Sequence, residues 1–138
     1  MLSFYNSNVF IIYKNDDVNS LLAGTFWLKG VQPFKFSDGK EGLKKFRELD
    51  GKVDAVVVSH GIALDNDLLI IVNIKRINPN TKVLVIAEDE ESRKNNNTID
   101  EYGADEIVSL PLNYKDISDK LLLLISKRNL ERPTNELV

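Results

Sequence analysis

Few side chains in this sequence can do chemistry, and their spacing narrows what that chemistry can be. The chain has one histidine, His60, and no cysteine. A disulfide framework, a thiolate metal site and a cysteine nucleophile are therefore excluded, and one histidine cannot build a multi-histidine metal centre. His60 lies near Asp65 and Asp67, which invites an acid/base or metal-binding role. Without a placed partner it is read as a loop residue. The carboxylates Asp65, Asp67, Glu88 and Asp89 offer hard oxygen ligands that would hold a divalent cation only weakly. A solvated role at helix entries is favoured for each, because anionic side chains are stabilised at helix N-termini. Ser59 offers a hydroxyl to a serine kinase, or is a small polar filler, and the filler is the favoured reading. The glycines nowhere form GxGxxG or a P-loop, which weighs against nucleotide binding.

The 138 residues are 43% hydrophobic and 28% charged, with 18 Lys+Arg against 21 Asp+Glu. This describes one ordinary domain and leaves no room for a two-domain enzyme. A net charge of −3 with both signs scattered leaves no electrostatic footprint for nucleic acid, so none is expected as a direct partner. The longest apolar runs, Leu68 to Val72 and Leu121 to Ile125, are far too short to span a bilayer. No membrane association or export is expected, and a cytoplasmic setting is the default.

The elements that must position these residues alternate in a βα rhythm. Val9 to Tyr13 is a continuous apolar run suited to a strand covered on both faces. Asp16 or Asp17 is expected to cap a helix carrying Val18, Leu21, Leu22 and Phe26 on its inner stripe, ended by Gly30. Val31 to Phe36, interrupted by Pro33, reads as an edge strand. Ser37 or Asp38 opens a second helix with Leu43, Phe46 and Leu49 inward. Val53 to Val58 is the most apolar strand and belongs in the sheet centre. A loop from Ser59 to Asp67 follows, then a third helix from Asp67 to Ile77 and a fourth strand from Val83 to Ala87.

Glu88 to Tyr102 is expected to hold a fourth helix whose first half is mobile or irregular, closed by Gly103. A short strand from Glu106 to Leu110 and a last helix from Asn113 to about Leu130 complete the pattern, with Ile117, Leu121, Leu124 and Ile125 inward. Residues 131–138 read as a linker end or frayed tail. The pattern predicts an α/β fold of the flavodoxin-like kind, a doubly wound (βα)5 three-layer sandwich with a parallel sheet ordered 2-1-3-4-5. Any ligand site belongs at the C-terminal ends of strands one, three and four.

Three separated stretches carry a family resemblance: Ser37-Asp38-Gly39-Lys40-Glu41-Gly42-Leu43, Val53-Asp54-Ala55-Val56-Val57-Val58, and Tyr102-Gly103-Ala104-Asp105-Glu106-Ile107 leading to Pro111. They resemble the "SDGEEAL", "YDLVLLD" and "LGADDYLTKP" segments of the receiver domain of two-component response regulators, the CheY-like family. The resemblance covers about residues 8–128 and implies a receiver-like domain over 1–130. Family chemistry needs an acidic pair after strand one and a phospho-accepting aspartate after strand three, which hold Mg²⁺ through oxygen ligands. It also uses a hydroxyl after strand four and a lysine after strand five to contact the phosphoryl oxygens. In this sequence the acidic pair falls on Tyr13 and Lys14, the phospho-acceptor on Ser59, the hydroxyl on Ala87 and the lysine on Leu110. Every one of these positions is substituted.

The resemblance thus implies a degenerate, pseudo-receiver module in signal transduction that works through protein contacts, with no cofactor, no metal and no catalytic residue of its own. In the family the face formed by the fourth helix, fifth strand and last helix transmits the signal or dimerises, and the aromatic switch position of strand five falls here on Ile107. On the last helix Leu122 and Leu123 lie off the inward stripe, so at least one should be exposed. Together with Ile107 they make a candidate partner or dimer face, for a sensor kinase, an output protein or a second copy; the alternative is a wider buried stripe. Two rival readings stay open: a phosphorelay domain using Ser59 or a regrouped Asp16, Asp17 and Asp54, and a flavodoxin-like small-molecule binder.

Overall fold

The computed structural model describes residues 7–88, 96–109 and 111–131. Five strands, β1 (Asn8–Ile12), β2 (Gln32–Phe36), β3 (Ala55–Ser59), β4 (Lys82–Ala87) and β5 (Glu106–Ser109), form one parallel sheet in the order β2-β1-β3-β4-β5. Position in the sheet follows composition. The all-apolar run before Ser59 occupies the centre with every β3 residue buried, while β2, carrying Pro33 and Lys35, lies at the edge with none of its residues fully buried.

Alternation along each strand divides the core in two. Val9, Ile11, Ala55, Val57, Leu84 and Ile86 meet Leu22 and Phe26 of α1 (Asp16–Leu28) and the inner stripe of the last helix. Phe10, Ile12, Val56, Val58, Val83 and Val85 meet α2 (Gly39–Glu48), α3 (His60–Ala63), α4 (Ile70–Ile77) and α5 (Asn96–Tyr102). The last helix, α6 (Tyr114–Glu131), buries Ile117, Leu121, Leu124 and Ile125, as its spacing predicts.

Several local expectations are corrected. Asn15, rather than Asp16 or Asp17, caps α1: its side-chain oxygen accepts from the Val18 N–H at 3.1 Å, leaving the two acids in the first turn. Leu21 is exposed, because the inner stripe runs through Asn19, Leu22 and Phe26 instead. Ser59 ends β3 and His60 opens a short helix, where a continuous loop was expected. The third expected helix begins at Ile70, three residues late. The Asp65 carboxylate accepts the N–H groups of Asp67 and Leu68 at 2.9 and 3.3 Å, and Leu69 takes a left-handed conformation with φ 46°, so the chain turns before the helix starts. The first half of the fourth expected helix is irregular only by expectation: residues 89–95 lie outside the described residues, and α5 occupies 96–102.

Candidate functional site

The C-terminal ends of β1, β3 and β4 bring Tyr13, Ser59, Ala87 and Glu88 into one neighbourhood, since β3 lies between the other two strands. Tyr13 follows β1 and is buried. Its backbone N–H donates to the Phe36 carbonyl at 3.0 Å, which ties the end of β1 to the end of β2. Burial pushes the Tyr13 phenol up to about 12, helped by the charge of the nearby Glu88 carboxylate and by Tyr114. Tyr13 and Glu88 follow β1 and β4, the strands on either side of β3, whose last residue, Ser59, is only 4% exposed and pairs in register with Ile86. Ala87 is buried beside it and offers no hydroxyl. Leu110 and Asp89 lie outside the described residues.

Lys14 is exposed and lines a groove of about 1010 Å³ with Lys40, Gly61, Ile62, Asp65 and Asp67 among its walls. Its charges are mixed. Asp65 is already committed to its own turn, as described above, and Asp67 is exposed. His60 is buried as the first residue of α3, so it is not a loop residue. Among the described residues no group of three His, Cys, Asp or Glu side chains is placed to hold a metal ion.

One regrouping is ruled out by geometry. Asp54 precedes β3, at the opposite end of the strand from Ser59, where its carboxylate accepts the Asn8 N–H at 2.8 Å and pairs with Arg128 at 2.9 Å. It cannot join Asp16 and Asp17, which stand at the other end of the sheet. Asp16 reaches Lys35 at 3.3 Å as an exposed pair of little energetic weight.

Sequence reasoning missed Asn19. This buried amide donates to the carbonyls of Ile11, Tyr13 and Phe36 at 3.3, 3.1 and 3.0 Å, so one side chain on α1 holds the exits of both β1 and β2. A polar residue beside Leu22 on the inner stripe was the available signal. On the partner surface, Leu123 is 57% exposed, Leu122 is partly buried against the α1 side of the core, and Ile107 is partly buried against the other core half. The sheet separates Ile107 from Leu122, so the three do not form one continuous apolar patch.

No protein-family model matches the chain, and no curated protein matches it by sequence. Solved structures do. A response regulator receiver domain protein from Clostridium thermocellum superposes with a TM-score of 0.79 at 20% identity, over 91% of this chain and 99% of that one. An orphan response regulator of H. pylori gives 0.73 at 20% identity, over 88% of this chain and 98% of that one. NtrX from Brucella abortus gives 0.79 at 16% identity, over 95% of this chain and 30% of that longer one. The fold is therefore the receiver, CheY-like fold, with its strand order and helix layers intact. Among the described residues, no helix is long and apolar enough to cross a membrane.

Proposed function

We propose that this chain is a pseudo-receiver: a cytoplasmic signalling or scaffolding module that acts by protein contact, without Mg²⁺-dependent aspartyl phosphorylation and without catalysis of its own. The observation that carries this reading is the buried Tyr13 phenol at the end of β1, the strand paired beside β3. A phosphorylating receiver needs carboxylates free to hold Mg²⁺ at the position Tyr13 occupies. Here a buried phenol, neutral at physiological pH, stands at that position. A serine at position 59 does not form an acyl phosphate, and Lys14 adds an ammonium where a second metal ligand would stand. Its partner classes are a sensor kinase, an output protein or a second copy of the chain. The small-molecule alternative draws on one observation, the groove beside Lys14, whose mixed charges select no evident ligand class.

The test is incubation with Mg²⁺ and acetyl phosphate, and separately with beryllofluoride, while following intact mass, amide shifts and the fluorescence of the single tryptophan, Trp27. Unchanged mass and spectra are expected. A saturable Mg²⁺-dependent response would overturn the reading.

A further inference from the structure

The large hydrophobic side chains exposed among the described residues are Leu21, Trp27, Leu28 and Leu123. All of them lie on α1 or α6, the two helices packed side by side on one face of the sheet, and none on α2 to α5. Leu21 and Leu28 stand seven residues apart and so share one stripe of α1. Gly24 lies between them, with open space where a side chain would begin. This leaves an apolar stripe, notched at Gly24, on the exposed side of α1.

Charge on α6 indicates what covers this face. Asp119, Leu123 and Lys127 follow one another at intervals of four and form a single i±4 ridge, all three exposed. The ridge has an apolar centre with an acid one turn to one side and a base one turn to the other. Asp119 has only a loose intrahelical contact with Lys115 at 3.9 Å. A two-fold axis through Leu123 that lays α6 antiparallel on a second α6 sets each Asp119 opposite the other copy's Lys127, roughly 6 Å from the crossing point. Ridges of this i±4 type interdigitate in the commonest helix-packing class. An isologous interface must be complementary to itself, and this ridge is.

We propose that α1 and α6 present a homodimer face, on which a second copy docks antiparallel about Leu123 with reciprocal Asp119–Lys127 pairs. The proposal rests on the reading of the domain as a contact module and names its partner. Its test does not depend on phosphorylation chemistry.

The experiment is sedimentation equilibrium of the full chain across a concentration series reaching the millimolar range. The wild type is expected to associate reversibly to a dimer, and Leu123→Glu to raise the dissociation constant about tenfold or more while leaving circular dichroism and the urea midpoint unchanged. Asp119→Lys and Lys127→Asp each place like charges across the two-fold and should weaken self-association. Mixed together, those two variants should associate with each other better than either does with itself, because the heterodimer restores both opposite pairs. A wild type that stays monomeric at every concentration overturns the proposal, and so does capture of an unrelated protein through Leu123 by such a monomer. Equally, a dimer indifferent to Leu123→Glu and to both charge changes overturns it. The Mg²⁺ and acetyl phosphate experiment can fail or succeed without altering any of these outcomes.

Discussion

Arg128, near the end of α6, reaches the carboxylate of Asp54, just before β3, at 2.9 Å, with the two side chains only 10% and 13% exposed. Asp54 also accepts the Asn8 N–H at 2.8 Å, so this pair fastens the last helix to the N-terminal ends of β1 and β3. Removing one member of a nearly buried pair leaves the other charge poorly solvated, which costs more than the pair contributes when intact.

Arg128→Met or Asp54→Asn is therefore expected to lower stability by roughly 3 kcal/mol, read from the urea midpoint at unchanged m. The Asp54→Asn, Arg128→Met double variant should lose less than the sum of its parts. If each single variant costs below about 0.5 kcal/mol, in the range of an exposed pair, the clamp is not what holds α6 in place.

Gly42 lies on the buried side of α2, where an added Cβ would sit 2.5 Å from Ile12 Cδ1 and 3.0 Å from its Cγ1. Alanine normally gains helix stability over glycine, but here it must displace a core side chain. Gly42→Ala should destabilise by about 1–2 kcal/mol in spite of its helix propensity. Trimming the obstacle reverses the sign of the coupling: Gly42→Ala combined with Ile12→Val should be more stable than Gly42→Ala alone. Thermal unfolding of the four forms checks this, and simple additivity would show that Ile12 is not the obstacle.

Tyr13 predicts a pH dependence whose sign follows from its raised pKa. An unfolded tyrosine ionises near 10, whereas the folded phenol, held by burial and by Glu88, ionises at about 12. Between those values the unfolded chain binds fewer protons than the native one, so this group's contribution to stability is complete below pH 10 and lost as pH rises toward 12. Absorbance titration should show one phenol titrating last in the folded protein, and Tyr13→Phe should delete that step. Persistence of the late step in Tyr13→Phe would assign it to another of the four tyrosines.

Legibility followed how local each signal was. The centre of the sheet could be read from Val53 to Val58 because a strand covered on both faces must be apolar throughout, and the edge from Pro33 because an interior strand cannot spare the N–H. Asp38 could be read as a cap, since its side chain meets an N–H three residues on, at 2.8 Å. The start of α4 could not. Leu68 and Leu69 continue the apolar pattern, yet Asp65 turns the chain there, and patterning does not register a competing side-chain hydrogen bond. Leu21 was misplaced for a related reason: Asn19 took the inner stripe by bonding three carbonyls, a role that composition alone assigns to no buried asparagine.

The order of the strands and the layers of helices were legible in the sequence, because periodicity and residue type are local properties. Tertiary structure alone decided that Tyr13 is buried beside the end of β3, that Asp54 belongs to Arg128 rather than to Asp16 and Asp17, and that Leu123 stands in solvent while Leu122 does not. Each of these depends on which distant segments the sheet and helix layers bring within a few ångströms, and on which side of a helix its neighbour covers. No window along the chain contains that information.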